Sequence, residues 1–150
     1  MNVMVALELF NFLHFLGLAF GLGGATIAAV ISSKAEKDKD IGKAYGKIMH
    51  SIVKFIWLGM LLLIISGIAL PFFVKWPLNK QLLIVKHVLV VWIIIIGVII
   101  GIKSKKIGNL TPVLKEKPSL KFLKTKRQMK ALSIINLILW YAVTLMSAFV

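Results

Sequence analysis

The residues most able to do chemistry in this chain are two histidines that lie inside apolar segments. His87 follows Lys86 near the start of the run LLIVKHVLVVWIIIIGVIIG, and His14 lies in the run VALELFNFLHFLGLAFGLGG. Ionisable side chains are costly within a membrane, and those that occur there usually face a bundle interior or a functional site. Neutral imidazole is a good axial ligand for haem iron, and helical bundles build such sites from facing helices. We therefore expect His14 and His87 to hold the iron of a haem b.

The depth of the two histidines supports this pairing. His87 lies five residues after Leu82, which corresponds to about 8 Å along a helix. His14 lies six residues after Glu8, which we place at the same membrane interface, and this spacing corresponds to about 9 Å. We therefore expect the two imidazoles to share one level of the membrane, near its outer side.

Glycines accompany both histidines. At 100° per residue, His14 shares one side of its helix with Gly17, Gly21 and Gly24, and His87 shares its side with Gly97 and Gly101. Glycine would make room for a flat macrocycle beside its ligand. Equally, small residues allow two membrane helices to pack closely, and a histidine can simply form a hydrogen bond between helices. Both interpretations stay open, as does a proton or ion path.

Other polar side chains extend the candidate site. Lys86 would pair with a haem propionate near the headgroups, although a lysine can also reach the interface without any partner. His50 lies towards the inner end of the second apolar segment and is an interfacial residue or a further metal ligand. The fourth apolar segment presents a polar side towards the same interior, formed by Ser133, Asn136, Trp140 and Ser147.

The elements that must position these residues are membrane helices. The chain has 150 residues, of which 59% are hydrophobic, whereas a soluble domain has about 45–50% apolar residues. The apolar residues fall into blocks of the length that spans a bilayer. These blocks predict an all-α integral membrane four-helix bundle forming a single domain, with spans at about 5–31, 52–73, 82–102 and 131–150. There is no cysteine, which excludes disulfides and thiolate metal sites.

The net charge of +14 lies between the apolar blocks. The connections over 34–47 and 103–130 are rich in lysine, which places them in the cytoplasm and both termini outside. The basic side chains of these connections attract anionic lipid headgroups. A nucleic-acid role is disfavoured because no aromatic residues interleave with the charges. Within the second of these connections, residues 120–129 are expected to form a short amphipathic segment at the inner interface.

Three motifs resemble a known group of proteins. LHFLGLAFGLGGATIAAV (13–30), LGMLLLIISGIAL (58–70) and LLIVKHVLVVW (82–92) are similar to segments of small four-helix membrane proteins of the copper-resistance D type and of the membrane protoporphyrinogen oxidase-like group. This resemblance implies a four-helix bundle, with haem b in the oxidase-like members and metal-linked roles in the others. It carries over to His14, Lys86 and His87.

The leading prediction is a haem b protein of a prokaryotic-type plasma membrane that takes part in electron transfer or a membrane redox reaction. Its partner would be quinone-like or a protein, and the chain would act alone, as a homo-oligomer or as a subunit of a larger complex. The alternatives are a cofactor-free accessory subunit and a protein that handles copper ions. The chain also suggests two similar hairpins, because the intervals from His14 to Gly24 and from His87 to Gly97 are equal.

Overall fold

All regular structure in the described part of the chain is α-helical. The computed structural model describes residues 2–35, 37–73, 79–110, 120–147 and 149. The helices are α1 (Val3–Ala35), α2 (Lys39–Phe73), α3 (Lys80–Leu110) and α4 (Leu120–Met146). The predicted all-α fold class is confirmed.

Short polar side chains begin the first two helices. The backbone N–H of Met4 donates to Asn2 Oδ1 at 3.4 Å. At the start of α2, the N–H groups of Asp40 and Ile41 donate to Asp38 Oδ1 at 2.8 and 3.3 Å. These bonds satisfy amide groups that have no partner within the first turn of a helix, so Asn2 and Asp38 act as N-caps.

Each helix is long and apolar enough to cross a membrane. The qualifying segments are Val3–Ala35, Lys47–Phe73, Lys80–Lys106 and Phe122–Met146. Large apolar side chains are exposed along all four helices, including Phe15 at 70% and Ile138 at 61%. Such surfaces suit contact with lipid rather than water. The chain is therefore a multi-pass membrane protein, and the predicted placement of both termini outside stays a prediction.

The fourth helix differs from its predicted bounds. The sequence suggested a separate interfacial segment at residues 120–129 and a span from 131 to 150. Instead α4 is continuous from Leu120 to Met146. Lysine, arginine and glutamine are good helix formers, and this stretch contains no glycine or proline that would break the helix. The basic residues therefore extend the membrane helix rather than forming an element of their own.

The contacts divide the chain into two compact units, Met1–Asn79 and Lys80–Val150. The first unit is an antiparallel hairpin of α1 and α2. Its register is shown by ring contacts whose numbers run in opposite directions, since Phe10 stacks on Phe73 and Phe20 packs against Phe55. Near the loop end, Ser32 Oγ and Tyr45 Oη share a hydrogen bond of 3.0 Å.

Glycines bring the two helices of this hairpin into backbone contact. A Cβ atom built at Gly59 would lie 2.7 Å from the carbonyl oxygen of Gly17 and 2.8 Å from Cα of Gly21. A Cβ at Gly24 would lie 2.8 Å from Cγ1 of Ile56. Only glycine fits a helix crossing this close, as in other membrane helix pairs that rely on small residues.

The second unit pairs α3 with α4 through larger side chains. Ile93 and Ile96 of α3 are 1% and 8% exposed, and Trp140 and Val143 of α4 are 2% and 7% exposed. At the other end of the pair, Lys103 Nζ donates to Gln128 Oε1 at 2.8 Å. The core described for this hairpin therefore consists of bulky side chains.

Replacing Gly59 by alanine is expected to destabilise the first hairpin by about 1–3 kcal/mol, because the new methyl group would meet backbone atoms of α1 that cannot move aside. Gly67→Ala is the matched control on the same helix, since a Cβ there meets nothing within 4 Å. Thermal unfolding in detergent should show a lower midpoint for Gly59→Ala and an unchanged or higher one for Gly67→Ala. Equal midpoints for the two variants would contradict the close contact.

Candidate histidine ligand site

His14 on α1 is bound to Ser66 on α2. Its Nδ1 lies 2.9 Å from Ser66 Oγ, and the serine side chain is fully buried. The hydroxyl proton of Ser66 is directed to the carbonyl oxygen of Leu62, at 2.7 Å. A hydroxyl has one proton to donate, so Ser66 Oγ accepts from Nδ1–H of His14. The neutral ring then carries its lone pair on Nε2, the nitrogen suited to hold a metal.

His87 on α3 has the same tautomer for a different reason. Its Nδ1 lies 2.7 Å from the carbonyl oxygen of Leu83, one turn earlier in the helix. A carbonyl oxygen only accepts, so Nδ1 carries a proton, and in the neutral form of the ring Nε2 carries the lone pair. The side chain is exposed, and at 100° per residue it points away from the face of Ile93 and Ile96 that packs on α4. Its Nε2 is therefore directed outward from the second hairpin.

The two imidazoles thus share a chemical state that suits iron. Metal-binding histidines usually donate their second ring N–H to an oxygen, which fixes the tautomer and raises the basicity of the ligand. Ser66 and Leu83 supply these oxygens. His14 belongs to the first unit and His87 to the second, so their sharing of one iron stays a prediction.

The glycines of α1 lie in the contact between α1 and α2, whereas glycines of a cofactor pocket would border open space. Gly17, Gly21 and Gly24 are all buried. The space beside Gly17 is filled by the side chain of Leu63 and the backbone of Gly59, and the space beside Gly24 by Ile56. The volume that a macrocycle would need next to these glycines is therefore occupied by α2, and the close-packing interpretation describes what they do here.

On α3 the accompanying residues are more open. Lys86 and Gly97 are half-buried, and Gly101 is exposed with nothing within 4 Å of a Cβ built there. Gly101 is thus not in close contact with α4. Lys86 directly precedes His87, and neighbouring side chains on a helix diverge by about 100°.

His50 is exposed on α2, far along the helix from Ser66. Among the residues that the structure describes, no three His, Cys, Asp or Glu side chains come together in a group able to hold a metal ion.

On the predicted polar side of α4, Trp140 is buried and Ser133, Asn136 and Ser147 are half-buried. Trp140 is 2% exposed, and both its Nε1 and Asn136 Oδ1 are buried without a hydrogen-bond partner in the structure. Ser133 and Ser147 instead donate to carbonyl oxygens of their own helix, at 2.9 and 2.8 Å. Sequence periodicity identified this side, but it gave no sign that Asn136 and Trp140 would differ from the serines.

Comparison of the chain with protein families, curated proteins and solved structures found no match. The resemblance to copper-resistance D and protoporphyrinogen oxidase-like proteins therefore stays a prediction based on three short motifs. What the chain does must be inferred from its own side chains.

We expect nitrogen NMR of the labelled protein to show His14 and His87 as neutral rings protonated at Nδ1. Ser66→Ala should change the spectrum of His14 alone, because it removes the acceptor of that ring, and His87 should keep the tautomer set by its own helix. His50 serves as the exposed reference ring. Protonation of either ring at Nε2 instead would contradict the assignment.

Replacing Trp140 by phenylalanine should leave the protein at least as stable as before. The change keeps the buried ring and removes an N–H whose burial without a partner costs about 1–3 kcal/mol. Trp92→Phe, at a side chain that is 53% exposed, is the control. A clear loss of stability in Trp140→Phe but not in the control would mean that the indole N–H has a polar partner in the membrane.

Proposed function

We propose that this chain is a haem b-binding protein of a prokaryotic-type plasma membrane, with His14 and His87 as axial ligands. The observation that carries the proposal is the common state of the two rings. Each has its Nδ1 in a hydrogen bond with an oxygen, which is Ser66 Oγ for His14 and the carbonyl oxygen of Leu83 for His87. No other pair of side chains in the described residues combines intramembrane position with this donor arrangement.

The side chains of this protein would hold the haem and tune its redox potential, and would not themselves react. A bound haem b supplies one-electron redox chemistry. The hydrogen bonds to Ser66 and Leu83 would keep both ligands neutral and oriented, and the apolar helices around them would exclude water. Lys86 would neutralise a propionate near the headgroups, which accounts for a lysine beside the ligand. The electron partner would be a quinone-like molecule or a second redox protein.

One observation favours a second candidate, a cofactor-free accessory subunit. The glycines that suggested a pocket wall are fully used in packing α1 on α2. Proteins that only support a complex need such a rigid hairpin and apolar surfaces, and no ligand. The two candidates differ in one simple property, which is whether the protein absorbs visible light.

The purified protein, expressed with ample haem, should show a Soret band and the sharp reduced-state bands of a six-coordinate b-type haem. His14→Ala and His87→Ala should each abolish the six-coordinate spectrum, since either change removes one axial nitrogen. His50→Ala is the matched control, because it removes an exposed histidine outside the proposed pair.

A colourless protein with bound copper would instead indicate metal handling, and a colourless protein without metal would indicate an accessory subunit. Both results would contradict the haem proposal. Loss of the spectrum in His50→Ala alone would show that the ligand pair was assigned wrongly.

A further inference from the structure

The second hairpin has a groove at the end where α3 finishes and α4 begins. Its volume is about 280 Å³, and its lining consists of Ile99, Ile102, Lys103, Lys106, Thr125 and Gln128. The hydrogen bond from Lys103 to Gln128 ties the two helices together beside it. The groove therefore lies within one compact unit and is built by residues of both helices.

The two chain segments that form this groove carry charge of a single sign. Residues 99–110 and 120–130 contain eight basic residues and no aspartate or glutamate. The basic residues are Lys103, Lys105, Lys106, Lys121, Lys124, Lys126, Arg127 and Lys130. Like charges so close together repel one another, so the hairpin end is stabilised by any anion that it can bind.

The groove is also partly apolar. This lining favours an anion that carries an apolar part. Ile99 is 37% exposed and Ile102 is 64% exposed, and both lie within the membrane-crossing segment of α3. Lys103 and Lys106 follow within the next turn. The groove thus passes from exposed apolar surface to cationic surface over about one helical turn, as an amphiphile does at the boundary between its acyl chain and its headgroup.

Nucleic acid fits this groove less well. Its single-stranded forms need aromatic side chains on which bases stack, and none lines the groove. Inorganic phosphate would match the lysines but leave the isoleucines without a role. Basic pockets between membrane helices are known to bind the headgroups of anionic lipids.

We propose that this groove binds one anionic phospholipid. Its phosphodiester would lie against Lys103 and Lys106, with the side chain of Gln128 beside it, and an acyl chain would run along Ile99 and Ile102. An ammonium group has three protons, so Lys103 can keep its bond to Gln128 and still donate to a phosphate. The inference concerns only the second hairpin and is independent of any haem.

Native mass spectrometry of the detergent-purified full chain tests the proposal by titration with phosphatidylglycerol and with phosphatidylcholine. Phosphatidylglycerol should bind with a stoichiometry of one and clearly more tightly than phosphatidylcholine. The double variant Lys103→Gln/Lys106→Gln should bind it about 30-fold more weakly, on the basis of about 1 kcal/mol for each lysine near an anionic lipid.

The matched control is Lys124→Gln/Arg127→Gln, which removes the same charge at the same hairpin end but from side chains outside the groove lining. It should lose markedly less affinity. Equal losses in the two double variants would overturn the proposal in favour of general charge attraction.

Two further measurements keep the test decisive if a variant folds poorly. Ile102→Asn should weaken phosphatidylglycerol binding and leave all basic residues in place. Inorganic phosphate should not raise the thermal stability of the unaltered protein as phosphatidylglycerol does. Equal protection by inorganic phosphate, or equal binding of the two lipids, would show that no lipid site exists here.

Discussion

Lipid gives two apolar helices no hydrophobic reason to associate, because the acyl chains around them are as apolar as their own side chains. Association must come from close packing and from polar contacts between helices. The first hairpin meets this requirement where Gly17 and Gly21 lie against Gly59, at a separation that no other residue type permits. The remaining contacts of α1 with α2 depend on that approach.

The hydrogen bond of His14 is one of these contacts. His14 lies one turn before Gly17, and Ser66 lies two turns after Gly59, so the close crossing brings the imidazole to the serine hydroxyl. Because that hydroxyl already donates to Leu62, the serine can only accept from the ring. The glycine contact therefore brings His14 within reach of the hydroxyl that accepts from its Nδ1–H. His87 reaches the same state through its own helix and needs no partner helix.

Composition and block length were sufficient to predict four membrane helices, because a span of about 20 apolar residues has few other stable structures. Helical periodicity also identified the buried side of α1 and the inward side of α4. The function of the α1 glycines was harder to predict, since a stripe of small residues suits a cofactor and a neighbouring helix equally. The sequence does not predict the contact of His14 with Ser66, because nothing in sequence indicates which hydroxyl a distant histidine will meet. The sequence misplaces the start of α4, because lysine and arginine commonly mark the end of a membrane span, whereas here they prolong the helix to Leu120.

The two hairpins have similar sequences, but the partner helix packs on the histidine side of α1 and on a different side of α3. In α1 three glycines follow His14 on one side, and α2 packs there. In α3 the corresponding side carries Val90 and Ile94 before Gly97, and α4 packs instead on the face of Ile93 and Ile96. A helix cannot approach a surface of β-branched side chains as closely as a surface of glycines. The large Trp140 of α4 therefore packs on another face of α3. As a result, His87 directs its nitrogen lone pair away from its own hairpin. The two histidines therefore differ in what fixes Nδ1, since His14 depends on the neighbouring helix and His87 on its own helix.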